Sequence, residues 1–441
     1  MKIQLSEHFT YKKLLRFALP SVVMMVFTSI YCVVDGLFVS NFAGTTAFAA
    51  VNLIMPYIML FGTLGIMIGT GGTALVSMTM GTGDRDRANR IFSQLIWFTI
   101  LSGAVLSVLS IVLLRPAAQL MGAQGELADL CVSYGTFMLP ALPALLLQNV
   151  FQSFCVAAEK PNLGLGFTVA AGVTNIILDA LLVPRLGIRG AAIATAISQC
   201  VGGIGPVIYF LRQNSSLLRL ARARIEGKVL LRTCTNGSSE LMSNLSLNLV
   251  GILYNWQLMK YAGEQGVAAY GVIMYVNFIF ISIFLGYCFG VAPVIGYHYG
   301  AENHSELKGL LRKSLVILAV MSLALTAVAE LLAAPLSHIF VGHDPALFDM
   351  TKVAFIICSL IFLLCGFSIF GSSFFTALNN GLVSASISFL RTLVCQVVAV
   401  LVLPIFFGLD GIWWSVVVSE VASVLLTAFC IIKFRKRYHY G

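Results

Sequence analysis

Charge is scarce in this chain. Asp, Glu, Lys and Arg make up 10% of its 441 residues, against 59% hydrophobic. A soluble globular chain carries about 25% charged residues, so a soluble enzyme, a disordered chain and a coiled coil are all excluded. The ten cysteines (residues 32, 131, 155, 200, 234, 288, 358, 365, 395 and 430) form no CxxC and no Cys/His cluster, which argues against zinc, haem and iron–sulfur sites. Scattered in apolar stretches, they read as small apolar fillers. A Walker motif is missing too. The glycine-rich run GTLGIMIGTGG at 62–72 has neither a preceding strand nor a P-loop lysine, so its glycines read as close helix contacts. ATP is therefore not the expected driving force, and an ion gradient is what remains. No His/Asp/Ser constellation suggests an enzyme: His338 and His343 share one connection, and His298 and His304 flank another. No catalytic residue and no cofactor are expected.

What is present is a succession of long apolar runs. They can be drawn at 14–40, 47–76, 91–114, 129–156, 163–183, 190–211, 235–259, 267–294, 310–332, 350–376, 383–406 and 411–432, twelve in all. Each suits a membrane helix of about 20 residues, and such even apolarity does not suit barrel strands. The polar, basic start MKIQLSEHFTYKK precedes a run without a small-residue cleavage site, so a retained first span is expected rather than a signal peptide. The net charge of +9 reads as topology rather than nucleic-acid binding. Of 27 basic residues, 22 fall on the side shared by both termini, counting Lys2 and Arg391 there, and five (Arg115, Arg185, Arg189, Lys260 and Lys352) on the other. The positive-inside rule predicts cytoplasmic termini.

The two halves repeat. With an offset of 219, Ala43-Gly44 meets Ala262-Gly263, Gly71 meets Gly290, Gly81 meets Gly300 and Pro116 meets Pro335. Near the ends the offset becomes 221, where Gly187-Ile188-Arg189-Gly190 meets Gly408-Leu409-Asp410-Gly411. Such self-similarity is a duplication. Six spans per half is an even number, so the halves enter the membrane in the same sense, as in transporters whose substrate path runs between two bundles. The expected organisation is an N-terminal lobe at 1–211, a basic cytoplasmic linker at 212–232 and a C-terminal lobe at 233–441.

An acid inside a membrane span is costly and points to function. Asp35 lies about 9 Å below the outer end of span 1, and Asp179 about 7.5 Å below that of span 5, at 1.5 Å per residue. Tyr134 and Thr195 fall at the same level, and Asn175 shares a helical face with Asp179. Oxygen ligands of this kind suit a hard cation such as Na⁺, while two neighbouring carboxylates favour uptake of a proton. Spacing does not choose between them. The second half lacks these acids, with Tyr254 opposite Asp35 and Ala399 or Val400 opposite Asp179. Glu240, early in span 7, either snorkels or lines an inner cavity. Glu420, mid-span, is a candidate cavity residue with Tyr254, and Glu330 reads as interfacial.

Pro20, VVDGLFVSNFAG at 33–44, the Gly-Thr-Gly-Asp turn at 81–84 and NIILDALLVPRLGIRGAAIATAIS at 175–198 resemble the MATE (multidrug and toxic compound extrusion) family over nearly the whole chain. The closer likeness is to its DinF-like and MepA-like branch. The resemblance implies twelve helices as two parallel six-helix repeats around a V-shaped cavity in the plasma membrane of a prokaryotic cell. It implies a monomeric antiporter exporting cationic or amphiphilic small molecules against H⁺ or Na⁺, with membrane lipid as its surroundings and no nucleic-acid partner. It places an N-lobe ion site on Asp35, Tyr134, Asn175, Asp179 and Thr195, with Asn149 or Gln152 as a further polar position, and gives Pro20 a part in bending span 1. The NorM-like branch instead has acids in spans 7 and 10. Span 10 here has none, which favours the N-lobe site. A lipid-linked oligosaccharide flippase of the same superfamily is the alternative, expected to line its groove with several basic residues.

Overall fold

The computed structural model describes residues 3–341 and 344–440; Lys2 and His343 lie outside them. Among the described residues the chain is all helical, without strands. The N-terminal half comprises α1 (Tyr11–Phe38), closed by a π turn at Val39–Ala43, α2 (Thr45–Gly81), α3 (Arg85–Val112), a short α4 (Leu114–Leu120), α5 (Gly125–Met138), α6 (Leu142–Ala157), α7 (Pro161–Leu186) and α8 (Ile188–Leu211). The C-terminal half comprises α9 (Gly227–Gly300), α10 (His304–Val341), α11 (Pro345–Ser359), α12 (Cys365–Ala377), α13 (Gly381–Phe389), a π turn at Leu390–Cys395 and α14 (Gln396–Phe434). A 3-10 turn joins α5 to α6, and another joins α11 to α12, into single spans.

Among the described residues ten stretches are long and apolar enough to cross a membrane, and two of these, Gly227–Gly300 and Gly381–Phe434, are double. They break at Gly263 (φ 62°) and Gly408 (φ 58°). A Cβ on Gly411 would lie 2.5 Å from the Leu403 carbonyl oxygen. Eight residues along a straight helix would put those groups about 12 Å apart, so the chain reverses there and twelve spans result. The same reversal at Gly187 (φ 57°) brings Gly190 against Leu182, and Gly44 (φ 94°) ends the first π turn. Only glycine takes such angles without strain, so the duplication is written into the backbone as matched turns, Gly44 with Gly263 and Gly187 with Gly408.

The loops at 82–84, 158–160, 212–226, 301–303 and 378–380 share one end with both termini, here called the basic end. α9 begins at Gly227, so residues 227–232 of the expected linker are helical. The remaining linker is strapped along α3: Arg219 and Ala221 donate their amides to Asn89 Oδ1 and Ser93 Oγ, and Trp97 Nε1 donates to the Ala221 carbonyl.

The halves meet through glycines near the basic end. A Cβ on Gly71 would lie 2.7 Å from the Gly237 amide nitrogen, and one on Gly290, its duplicate, would lie 2.7 Å from Ala18 Cα. These contacts are mates under the duplication, because Ala18 stands where Gly237 does. Asn236 Nδ2 and Asn379 Nδ2 add hydrogen bonds to the Gly71 and Ala74 carbonyls. The hydrogen bonds described between the halves, from the Phe9 amide to Glu306 and from Arg232 to Met78 as well as those of Asn236 and Asn379, all lie at this end. A separate apolar cluster around Ala47, Ile54, Tyr134 and Val183 fills the far part of the N-terminal half. The two six-helix bundles therefore form a V, closed at the basic end and open away from it.

Candidate functional site

The far part of the N-terminal half holds two acids. α1 and α7 run side by side: a Cβ on Gly172 would lie 2.4 Å from the Phe27 ring and 3.0 Å from that of Tyr31. One to two turns further along both helices stand Asp35 and Asp179, 8% and 0% exposed. The amide of Val39 donates back to the Asp35 and Gly36 carbonyls, where α1 loosens into its π turn. Such turns are frequently found at functional sites.

Among the described residues no N–H or hydroxyl donor reaches Asp35 Oδ1 or either carboxylate oxygen of Asp179; the two carboxyls lie within hydrogen-bonding reach of each other, and the fully buried Tyr134 within reach of Thr195. Each acid is the charged neighbour of the other, and Tyr134 lies within the field of both. Asn175 Nδ2 donates to Thr195 Oγ1 at 3.4 Å, and Thr195 donates in turn to the Ala191 carbonyl at 2.9 Å. The structure thus gathers Asp35, Tyr134, Asn175, Asp179 and Thr195 in one buried place. A buried carboxylate without donors is strongly disfavoured. This donor set, two carboxyls with neutral oxygens, fits a proton or a hard monovalent cation. Cys32 and Tyr31 also adjoin Asp35; an unremarkable cysteine and tyrosine in an apolar run gave no sign of this.

The other expected polar residues divide differently. Asn149 Nδ2 donates to the Gly62 carbonyl at 3.0 Å, tying α6 to α2. Gln152, next along α6, is buried. Tyr254 was expected on the cavity wall, but it is packed inside the C-terminal bundle, its hydroxyl 2.7 Å from Ser415 Oγ and its ring stacked on Tyr270 at 5.4 Å. Glu420 is likewise not on an open wall: it is 2% exposed and accepts from Arg391 Nε at 2.7 Å. Arg391, counted above among the basic-end residues, lies ten residues into its span with a side chain 16% exposed. The partner is 29 positions away on another helix, so sequence spacing hid the pair. Glu240 is half-buried beside Arg391. α1 runs unbroken through Pro20, whose missing N–H leaves a hydrogen bond out of the helix.

The MatE family model matches this chain twice, at residues 20–181 and 241–402, one match to each half of the V. The chain belongs to the MATE family. Among its curated relatives is the multidrug export protein MepA of Staphylococcus saprophyticus, 24% identical over 97% of this chain and 94% of that protein. MepA of Staphylococcus haemolyticus is also 24% identical, over 98% and 95%. A solved MATE structure described as the outward-facing conformation of a multidrug resistance transporter superposes with a TM-score of 0.91 at 22% identity, covering 98% of both chains. The MATE fold, a multi-pass membrane bundle of two repeats, therefore agrees with the turns and crossings described above. Likeness at this identity speaks to the fold alone.

Proposed function

We propose that this MATE protein exports cationic or amphiphilic small molecules from a prokaryotic cell by antiport against H⁺ or Na⁺, acting as a monomer by alternating access. The observation that carries the reading is the carboxyl pair Asp35 and Asp179, each other's hydrogen-bonding neighbour and without a donor from any other described side chain, buried in the far part of one half of a V that is closed at its basic end. If the basic end is cytoplasmic, as the positive-inside rule expects, this conformer opens outward and its acids lie toward the side from which the ion enters.

In the cycle, a proton or Na⁺ entering from outside cancels one of the pair's two negative charges. Loss of mutual repulsion lets α1, α5, α7 and α8 repack, which narrows the N-lobe face available to substrate. A ligand shifts two states only through its different affinity for each, so ion and substrate favour opposite states and compete. Asn175 and Thr195 orient the site through their mutual hydrogen bond.

The flippase alternative is disfavoured. It needs several bases free to hold a pyrophosphate, and Arg391 is already engaged by Glu420. The test is transport in proteoliposomes with pH and Na⁺ gradients imposed separately. Drug efflux driven by either gradient supports the proposal; efflux indifferent to both overturns it.

A further inference from the structure

Gly71 on α2 and Gly237 on α9 touch at the floor of the V, and each built Cβ points at the other helix. That of Gly71 lies 2.7 Å from the Gly237 amide nitrogen, and that of Gly237 lies 2.0 Å from the Met67 carbonyl oxygen. These glycines therefore mark which face of each helix looks across the V. At 3.6 residues per turn, positions 7, 11 and 18 residues further along share that direction to within about 20°. On α9 they are Asn244, Asn248 and Asn255. On α2, which runs the other way, the first two are Leu64 and Leu60. Beyond the glycine contact the halves part, so a stripe of three carboxamides faces leucine across the open V.

The other faces of α9 have other surroundings. Ser246 and Gln257, on the opposite side, are buried, and Gln257 Nε2 donates to the Val400 carbonyl of the same half at 3.3 Å. Leu249 and Trp256, about a third of a turn round from Gly237, are exposed and form an apolar face suited to lipid. Asn248 and Asn255 are exposed and Asn244 is half-buried, as polar side chains at membrane depth are where they line a water-filled cavity. Asn244 Nδ2 donates to the Glu240 backbone carbonyl at 2.9 Å, and Asn248 Nδ2 to that of Asn244 at 3.0 Å. Each commits one N–H to its own helix and keeps Oδ1 as an acceptor.

The duplication shows that packing does not require these groups. At the offset of 219, the counterparts of the three asparagines on α1 are Met25, Ser29 and Gly36, and those of Leu64 and Leu60 are Ile283 and Ile279. The carboxamides are thus a local addition to one of four faces that the repeat relates.

We propose that Asn244, Asn248 and Asn255 form a hydrogen-bonding track for substrate, reaching from about 10 to about 27 Å above the floor, and that it favours cations whose head group carries an N–H or O–H donor. The apolar body of such an amphiphile lies on the leucine wall while its donor engages Oδ1. A quaternary cation still binds, through its charge and its apolar body, but more weakly. This names the substrate class of the function proposed above and rests on that reading for the V as the substrate path.

The test is equilibrium binding to the purified full-length protein in detergent, with no gradient imposed. The probes are a fluorescent tertiary-amine amphiphile, protonated near neutral pH, and its N-methylated quaternary form. Both carry the same charge, so Glu240 and the N-lobe acids act on them alike; only the first has an N–H. Wild type binds the donor-bearing probe about tenfold more tightly, as one charge-assisted hydrogen bond provides. In Asn244→Leu/Asn248→Leu the ratio of affinities falls to about one; the ratio is the readout because a more apolar wall shifts both probes alike. In a cysteine-free background, Asn248→Cys reacts with a small charged thiol reagent and is protected by bound probe, whereas Leu249→Cys does not react. That arm, with the wild-type ratio, decides if the double variant does not fold. A wild-type protein that binds neither probe or both equally, a preference that survives in the double variant, or an unreactive Asn248→Cys overturns the inference. Failure of the antiport reading is distinguishable: efflux is then indifferent to both gradients while the affinity ratio and its loss stand.

Discussion

Gly81 and Gly300 stand against each other where α2 and the end of α9 meet, although 219 residues separate them in sequence. A Cβ on Gly81 would lie 2.1 Å from the Tyr297 carbonyl oxygen, and one on Gly300 would lie 2.0 Å from that of Met78. Being duplicate positions in mutual contact, they mark the axis relating the two halves. Gly300→Leu cannot be accommodated without parting the bundles. Overpacking costs about 1–3 kcal/mol, and here the cost falls on the state closed at this end. Spin labels at positions 83 and 302 should report a longer mean distance in the variant; an unchanged distance distribution would contradict the assigned axis.

Asp35→Asn and Asp179→Asn should each abolish gradient-driven efflux while leaving the protein inserted and monodisperse. Asn175→Ala and Thr195→Ala each remove one neutral group. A neutral hydrogen bond contributes about 1 kcal/mol, so efflux should fall by a factor of about 5. Normal pumping by both acid variants would remove the N-lobe site from consideration.

Ion and drug should compete in detergent solution. Lowering the pH, or raising Na⁺, is expected to weaken binding of a fluorescent cationic substrate. The dependence should vanish in the Asp35→Asn/Asp179→Asn variant and survive Glu240→Gln. Persistence in the first or loss in the second would move the coupling ion to α9.

Orientation is open to direct labelling. In a cysteine-free background, single cysteines at 85, 224 and 436 should react only with reagents reaching the cytoplasm, and those at 124 and 344 only with external ones. External reactivity at 224 would invert the topology and make this conformer inward-open.

The parts of this structure that could be read in advance were those on which backbone or solvation leaves little choice. Gly44, Gly187, Gly263 and Gly408 recur because a left-handed turn admits little else, so the repeat located all four reversals. Asp35 and Asp179 stood out because a charge in an apolar run is rare, and rise per residue alone put them at one depth. Rotation about a helix axis is another matter. Depth did not reveal that Tyr254 turns inward to Ser415 or that Glu420 turns to Arg391, since packing of several helices sets those directions. The N-terminal segment was harder still. Its polar residues look solvated, yet the Leu5 amide donates to Glu159 Oε1 at 2.7 Å and the Phe9 amide to Glu306 Oε1 at 2.9 Å. One segment thereby touches both halves, and local pattern carries no information about partners some 150 and 300 positions away.

That segment has a practical corollary at the bench. Leu5 and Phe9 are 0% exposed, and near the other end of the chain Tyr438 and Tyr440 are 7% and 3% exposed. The N-terminal segment is thus built into the seam that must part when the basic end opens, and the C-terminal one is packed against α9, α12 and α14 of its own half. A fluorescent reporter or affinity tag fused there without a spacer competes with these contacts for the same space. Resistance assays comparing tagged forms would then measure the handle along with the pump, and a long flexible spacer at either terminus is the condition for a neutral one.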